Sequence, residues 1–352
     1  MPYESAADLP MYNRQVLIGC TDERGSAWHR RDHLMGDESN HYPGLIPLDD
    51  VRRRLFTWQP TVAKVAYLLP DETGSHIGDD GHTYRVVETT ADRIGVLRDD
   101  NDADLGVFKS TAHHAPYQVS LIREAERLTG TTLGVSTAGI LGRGERAWVE
   151  FSMPETLHDP RSGLDYRPNL VRADSMDGST AMVTFLSCWA TICGNTLTWN
   201  MAEAANAGRI YRRKHTAGVV GSLDDERAAL GILERIDTEF LAGVAELIAT
   251  PVTPKQQIEV MDILLPLPDE PGRGYTVRAQ RRDQLQAMGD DPMVSQWIGT
   301  AFGEVQRYST FDQWFAPMAG GDRLERNVWR GISGKRGDAD RQVVGALAKV
   351  LA

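Results

Sequence analysis

The side chains best suited to hold an anion are basic residues near the middle of the chain, with one aromatic residue among them. Arginine and lysine neutralise the phosphates of a single strand, and a neighbouring aromatic ring can stack on an exposed base. No Asp or Glu occurs between residues 204 and 223. These features favour single-stranded nucleic acid as a ligand, and the alternative for each basic residue is an ordinary solvated surface. The candidate contacts are Arg143, Arg146, Arg172, Arg209, Tyr211, Arg212, Arg213 and Lys214.

The overall charge of −11 argues against a generic nucleic-acid-binding surface, because phosphates are held chiefly by Lys and Arg. The distribution of this charge is uneven. Residues 105–223 contain 12 Lys and Arg against 10 Asp and Glu, a net charge of +2, which leaves −13 for the rest of the chain. The central region, residues 105–223, is therefore the part of the chain whose charge is best suited to binding an anion.

Motifs for catalysis are scarce. His113 and His114 are adjacent rather than at the i, i+4 spacing of a helical metal site, and residues 142–144 lack the G-K-[ST] ending of a phosphate loop. Cys20, Cys188 and Cys193 have no framework or zinc spacing. We expect no enzyme activity, no cofactor and no metal site, although an active site built from residues far apart in sequence stays open.

The elements that must position the basic residues form an α+β pattern. Four strand-like runs, at 62–69, 83–89, 93–98 and 105–109, predict a β-meander. A helix opens at Pro116, and two strands at 133–141 and 147–153, the second with one buried and one wet face, flank a turn at 142–145. A hairpin of 170–173 and 180–192 follows, with its turn predicted at the polar residues Met176-Asp177-Gly178-Ser179, and then a helix from Leu197 to Gly208. An antiparallel sheet with helices on one face is the expected arrangement.

The sequence pattern divides the chain into three regions. These are an N-terminal arm at 1–44, an α+β core at 45–222 and a mostly helical C-terminal region at 223–352. Predicted helices cover 48–56, 223–249, 253–265, 277–288, 293–307 and 338–351, and Thr253-Pro254-Lys255-Gln256 resembles a capping box. An aromatic segment at 311–315 is assigned to the same region. No apolar run approaches about 20 residues and the N-terminus lacks a secretion signal, so we expect a cytoplasmic protein without membrane contact.

A family resemblance lies in and around the hairpin. The motif Asp177-Gly178-Ser179 is followed by Cys193 and then by Asn195-Thr196-Leu197. With these residues the chain resembles the signature of the phage/plasmid-like protein family, long catalogued only as a domain of unknown function. The resemblance extends along the chain in order, through Ala27-Trp28-His29, Tyr117-Gln118, Gly139 with Trp148, residues 213–216, residues 299–303 and Trp329.

The order helix, antiparallel strands, helix over residues 116–208 is similar in topology to single-strand annealing proteins of the eukaryotic recombination mediator and lambda Beta superfamily. That similarity implies a ring- or filament-forming homo-oligomer that holds single-stranded DNA in a basic groove between strands and helix. It also implies annealing without ATP or metal, an annealed duplex intermediate, and a role in phage recombination inside a bacterial host. Further implied partners are a phage exonuclease or a host single-strand-binding protein.

This chain departs from that pattern, because residues 190, 191 and the predicted helix to Ala207 contain no basic residue. Any DNA groove must then depend on the hairpin arginines and on residues 209–214. Two alternatives stay open. One is a non-catalytic oligomeric protein that binds a host or phage protein, which the charge of −11 favours. The other is a metal-dependent nuclease or nucleotide-modifying enzyme, which needs a carboxylate cluster.

Overall fold

A computed structural model of the 352-residue chain describes most of its central and C-terminal parts. The described residues are 17–20, 41–88, 92–123, 126, 134–152, 157–161, 163–190, 196–197, 210–213, 242–291, 294–318, 326–327, 329–331 and 335–352. All structural statements below concern these residues.

The main sheet has nine strands and is antiparallel except for its β1–β2 pair. Its strands are β1 (Leu17–Cys20), β2 (His41–Tyr42), β9 (Gly134–Leu141), β10 (Arg146–Ser152), β11 (Leu157–Asp159), β12 (Leu164–Ser175), β13 (Met182–Ala190), β14 (Thr196–Leu197) and β15 (Ile210–Arg213). The order is β14-β13-β12-β10-β9-β1-β2, and β15 also pairs with β13. Two pieces of the predicted N-terminal arm, β1 and β2, therefore lie in the main sheet.

The predicted meander forms two separate three-stranded sheets. One has the order β3 (Pro60–Ala63), β7 (Arg93–Arg98), β8 (Asp104–Lys109), and the other has the order β4 (Ala66–Pro70), β6 (Thr83–Glu88), β5 (His76–Ile77). The predicted strand from 62 to 69 breaks at residues 64–65, so its two halves pair with different partners. Here the single-meander prediction was wrong.

The helices are α1 (Leu48–Leu55), α2 (Pro254–Leu264), α3 (Arg273–Ala287), α4 (Ala301–Thr310) and α5 (Lys335–Leu351), and residues 242–249 are also helical. The helix predicted at Pro116 is a π-helical segment, Gln118–Arg123. The helix predicted over 293–307 is two pieces, because Gly299 adopts a φ of +80° and Thr300 caps a new helix. None of the helices in the described part of the chain has the length and apolar character needed to span a bilayer.

The capping box predicted at Thr253 is confirmed. The Thr253 hydroxyl accepts from the Gln256 backbone N–H, and the Gln256 side chain accepts in return from the Thr253 backbone N–H. Pro254 lies in the first turn, where its missing N–H costs nothing. Local signals alone place the start of α2.

Both faces of the main sheet are covered around β10, which corrects the prediction of one wet face on that strand. Val149 and Phe151 pack with α1 and the π-helical segment in one cluster, and Trp148 packs on the opposite face with Val183. The exposed fraction of Trp148 is 2%. Trp329, which is distant in sequence, packs on this second face.

The predicted α+β class is confirmed, with antiparallel sheets in the first part of the chain and helices in the C-terminal part. The hairpin around residues 176–181 is confirmed as β12 and β13. Leu197 lies in the short strand β14 rather than at the start of a helix, and the helix predicted to Gly208 lies outside the described residues. Most of the helix predicted over 223–249 also lies outside them.

Candidate nucleic-acid interface

The turn between β9 and β10 presents Arg143 to solvent on a braced backbone. The guanidinium of Arg98, which is 2% exposed, donates to the Arg143 carbonyl at 3.0 Å and makes a bidentate pair with Asp100 at 2.7 and 2.8 Å. The same guanidinium lies 4.3 Å from the ring centroid of Trp58. Gly144 has a φ of +106°, and a Cβ there would lie 2.8 Å from the Trp58 ring. The turn is therefore fixed, and the exposed Arg143 side chain projects from it.

A second set of contacts joins this turn to the neighbouring hairpin. The Tyr117 hydroxyl donates to the Glu145 carbonyl at 2.8 Å and lies 3.0 Å from the Gly144 carbonyl. The Met176 backbone N–H donates to the same Glu145 carbonyl. Burial raises the pKa of the Tyr117 hydroxyl well above its ordinary value, so this group stays a proton donor. The two turns form one surface, which we call the tip surface and define as residues 142–146 and 176–181.

Asp177 organises the second turn of the tip surface. Its Oδ1 accepts from the Ser179 backbone N–H at 2.8 Å, which is the geometry of an Asx turn, and Gly178 follows with a φ of +73°. The Ser175 hydroxyl donates to the Thr180 carbonyl at 2.8 Å. The geometry of this turn therefore accounts for the presence of Asp, Gly and Ser at positions 177–179.

Arg146 connects the tip surface to the C-terminal region. Its Nε lies 3.5 Å from Oδ2 of Asp177, and its guanidinium carbon lies 4.9 Å from the ring centroid of Trp329. The Arg146 and Asp177 side chains are 21% and 25% exposed. A phosphate that approaches Arg146 therefore competes with a carboxylate that solvent reaches.

The segment that carries Trp329 is held in turn by the π-helical turn Phe311–Phe315, which follows α4 directly. Arg326 and Arg330 both pair with the carboxylate of Asp312, and the Asn327 amide donates to the Gln313 carbonyl at 2.8 Å. Trp329 also packs against the apolar second face of the main sheet. Arg326, Asn327 and Arg330 on one side and Trp329 on the other thus link this turn to the main sheet.

Arg172 differs from the other candidates because it is buried. Its exposed fraction is 1%, its Nε donates to the Ser120 carbonyl, and a terminal nitrogen lies 3.2 Å from the Met182 sulfur. In this arrangement Arg172 ties β12 to the π-helical segment. A phosphate at the surface cannot reach it without opening the core.

The strand register brings part of the 209–214 cluster to the tip end of the sheet. Arg146 at the start of β10 pairs with Ser175 at the end of β12. Met182 at the start of β13 pairs with Arg213 at the end of β15. Arg146 and Arg213 are therefore at the same end of the sheet, three strand spacings apart, or about 14 Å.

The remaining candidates are only partly placed. Tyr211 and Arg212 lie in β15, opposite Thr184 and Val183, and Arg209 and Lys214 lie outside the described residues. Within the described part of the chain, no group of three or more His, Cys, Asp or Glu side chains could hold a metal ion.

Comparison with known proteins assigns the chain to a family. A family model described as Domain of unknown function (DUF932) matches residues 117–329, more than half of the chain. The chain belongs to this family. No curated protein and no solved structure matches it. The DUF932 region begins at Tyr117, which braces the tip surface, and ends at Trp329, which lies against Arg146.

Three residues that shape the tip surface were missed as site residues in the sequence. Arg98 and Trp58 precede the DUF932 region and carry no local signal, since a buried arginine in a strand looks like any other arginine. Trp329 was recognised only as a family motif residue. Its contact with Arg146, 183 residues earlier in the sequence, is a tertiary feature.

Proposed function

We propose that this DUF932 protein binds single-stranded DNA and anneals complementary strands without ATP, as a homo-oligomer of phage or mobile-element origin. The observation that carries the proposal is the position of Arg143, Arg146 and Arg213 at one end of the main sheet. Arginine suits this task because its planar guanidinium binds phosphate oxygens in a bidentate manner.

The proposed mechanism is electrostatic and geometric. Arg143, Arg146 and Arg213 neutralise phosphates, and the bases stay exposed for pairing with a second strand. Each copy offers few contacts, since Arg146 is shared with Asp177 and Arg172 is buried. Self-assembly then multiplies these weak contacts along one strand, which raises the overall affinity without any new contact.

A binding and annealing assay on the full chain tests the proposal. Wild-type protein is expected to bind a fluorescently labelled oligonucleotide with strong salt dependence, and to speed annealing of complementary oligonucleotides without ATP. Arg143→Ala is expected to weaken binding to all sequences alike and to lower the salt slope by about 0.7, the value of one lost phosphate contact on a single strand. Its free energy of unfolding should not change, because the side chain is exposed.

Arg93→Ala is the matched control, since Arg93 is a half-exposed arginine at the opposite end of β7 from Arg98. Its affinity and salt slope are expected to equal those of the wild type. Wild-type protein that shows no salt-dependent binding to single strands at low ionic strength would refute the proposal. Capture of a host or phage protein that survives nuclease treatment would then favour the interaction-protein alternative.

A further inference from the structure

The β4–β6–β5 sheet, residues 66–88, is exposed on both faces, and we call it the outer sheet. All five residues of β4 and both residues of β5 are exposed. The register pairs Tyr67 with Val87 and Ile77 with Thr83 and so gives Tyr67, Leu69 and Ile77 one common face. Their exposed fractions are 63%, 39% and 70%. An apolar face of this kind on a three-stranded sheet marks an interaction site.

The outer sheet is also strongly acidic, which restricts its partner. Residues 66–88 contain five acids and one basic residue, Arg85, a net charge of −4 with His neutral. Two copies of this sheet would repel each other, and so would the sheet and a nucleic acid. Its partner must combine apolar and basic groups.

Helix α3 has the complementary character. It contains four arginines and one acid, Asp283, a net charge of +3 for residues 273–287. Its C-terminal end is anchored through the buried Leu285, whereas residues 271–278 are all exposed. Tyr275 and Val277 lie in this exposed part, 39% and 38% exposed. Most of the stability of a helix in a protein comes from packing of one face rather than from the helix propensity of its residues. The exposed end of α3 lacks such a packed face, so contact with a partner would stabilise it.

We propose that the outer sheet of one copy binds the exposed half of α3 of a second copy. Packing of an exposed helix on an exposed sheet is a standard layer arrangement. The sheet has a net charge of −4, and the exposed half of α3 contains Arg273 and Arg278 without an acid, so the two surfaces attract each other. Because the two surfaces differ, the contact is heterologous, and repetition of it produces a ring or a filament. The inference rests on the self-assembly in the proposed function and names the surfaces that would carry it.

Charge reversal with rescue tests the contact in the full chain without DNA. Glu72→Arg with Asp79→Arg reverses two exposed acids of the outer sheet, and Arg273→Glu with Arg278→Glu reverses two exposed arginines of α3. Light scattering at micromolar concentration is expected to show a large wild-type assembly. Each double variant should shift toward the 39.0 kDa monomer, with assembly weakened on the order of tenfold or more.

The quadruple variant, which exchanges the sign of the charge at all four positions and so keeps opposite charges across the contact at these positions, is expected to recover the assembly. Lys109→Glu with Lys349→Glu reverses two exposed charges elsewhere and should leave the mass unchanged. Thermal unfolding confirms that each variant is folded. Double variants with the wild-type mass, or a quadruple variant that fails to recover, would overturn this pairing of surfaces. A monomeric wild type would overturn the self-assembly itself, whereas salt-dependent binding through Arg143 is measured separately by fluorescence anisotropy.

Discussion

Asp177 uses its two carboxylate oxygens for two different contacts. Oδ1 accepts the Ser179 backbone N–H and fixes the turn, and Oδ2 lies 3.5 Å from Arg146. The first contact requires only an acceptor, whereas the second depends on negative charge. Substitutions can therefore separate the structural role of Asp177 from its electrostatic effect on Arg146.

Asp177→Asn is expected to tighten binding to single-stranded DNA. Asparagine keeps the acceptor for Ser179 and removes the charge that competes with phosphate for Arg146. A partly exposed ion pair contributes roughly 0.5–1 kcal/mol, which corresponds to an affinity gain of about two- to fivefold. Fluorescence anisotropy at low salt measures the gain, and thermal unfolding should show little change.

Asp177→Ala provides the comparison, because alanine removes both contacts. Loss of the turn hydrogen bond is expected to lower the free energy of unfolding by about 1 kcal/mol. Its DNA affinity should not fall below that of the wild type when the protein is folded. A loss of affinity in Asp177→Ala without a loss of stability would mean that Asp177 itself belongs to the binding surface and that the site is misplaced.

Sequence does not distinguish arginines that are exposed from those that are buried. Arg143 and Arg172 both lie in the acid-poor centre, yet the first is exposed and the second is 1% exposed. The difference arises because Ser120, 52 residues earlier, offers its carbonyl to Arg172. Only tertiary packing creates that partner, so a pattern read along the chain could not have removed Arg172 from the candidates.

At the scale of elements, local signals predicted best where the geometry is itself local. The capping box at Thr253 and the Asp-Gly-Ser turn were predicted from a few adjacent residues, and both are present. The splitting of the predicted meander depends on strand pairing between distant residues. The second buried face of β10 likewise requires Trp329. These features follow from long-range contacts that no short window contains.

Strand β15 carries the element-scale prediction. It lies along the outer edge of β13, so Arg212 and Arg213 occupy adjacent positions at the border of the sheet. If both arginines contact phosphates, the double variant Arg212→Ala, Arg213→Ala is expected to lower the salt slope of binding to single strands by about 1.4. If only one of them contacts a phosphate, the slope should fall by about 0.7. Titrations with a labelled oligonucleotide at several salt concentrations measure this slope.

The same double variant can also refute the assignment of β15. If the two arginines pair with the acidic flanks instead, the variant would lower the thermal stability or dissolve the oligomer. The salt dependence of any remaining DNA binding would then equal that of the wild type. Arg93→Ala again controls for the loss of an arginine elsewhere.

At the scale of the whole molecule, the stability of the fold should depend on pH through Glu150. This residue lies on β10 in the main sheet, where the Asn169 amide donates to its carboxylate and the Ser152 hydroxyl donates to Asn169 at 2.6 Å. Removal from water raises the pKa of Glu150 from 4.5 to about 7, and a hydrogen bond from Ser136 lowers it in part. The folded state therefore favours the protonated acid.

The direction of the effect follows from this raised pKa. Below pH 4.5 the carboxyl is protonated in both states, and its contribution to stability is fully present. As the pH rises from 4.5 to 7, the unfolded chain releases its proton first, so the free energy of unfolding falls. The rise in pKa from 4.5 to about 7 corresponds to a loss of about 3 kcal/mol, which is complete above pH 7.

Glu150→Gln is expected to abolish this loss, because the neutral amide keeps an oxygen that accepts from Asn169. Urea unfolding followed by tryptophan fluorescence should give a more stable variant at pH 8 and equal stabilities at or below pH 4.5. Glu72→Gln, which removes an exposed carboxylate, should follow the wild-type curve throughout. A Glu150→Gln curve parallel to that of the wild type between pH 4.5 and 8 would show that Glu150 ionises in the folded protein as it does in water. The Glu150 carboxyl would then contribute nothing to the pH dependence of the fold.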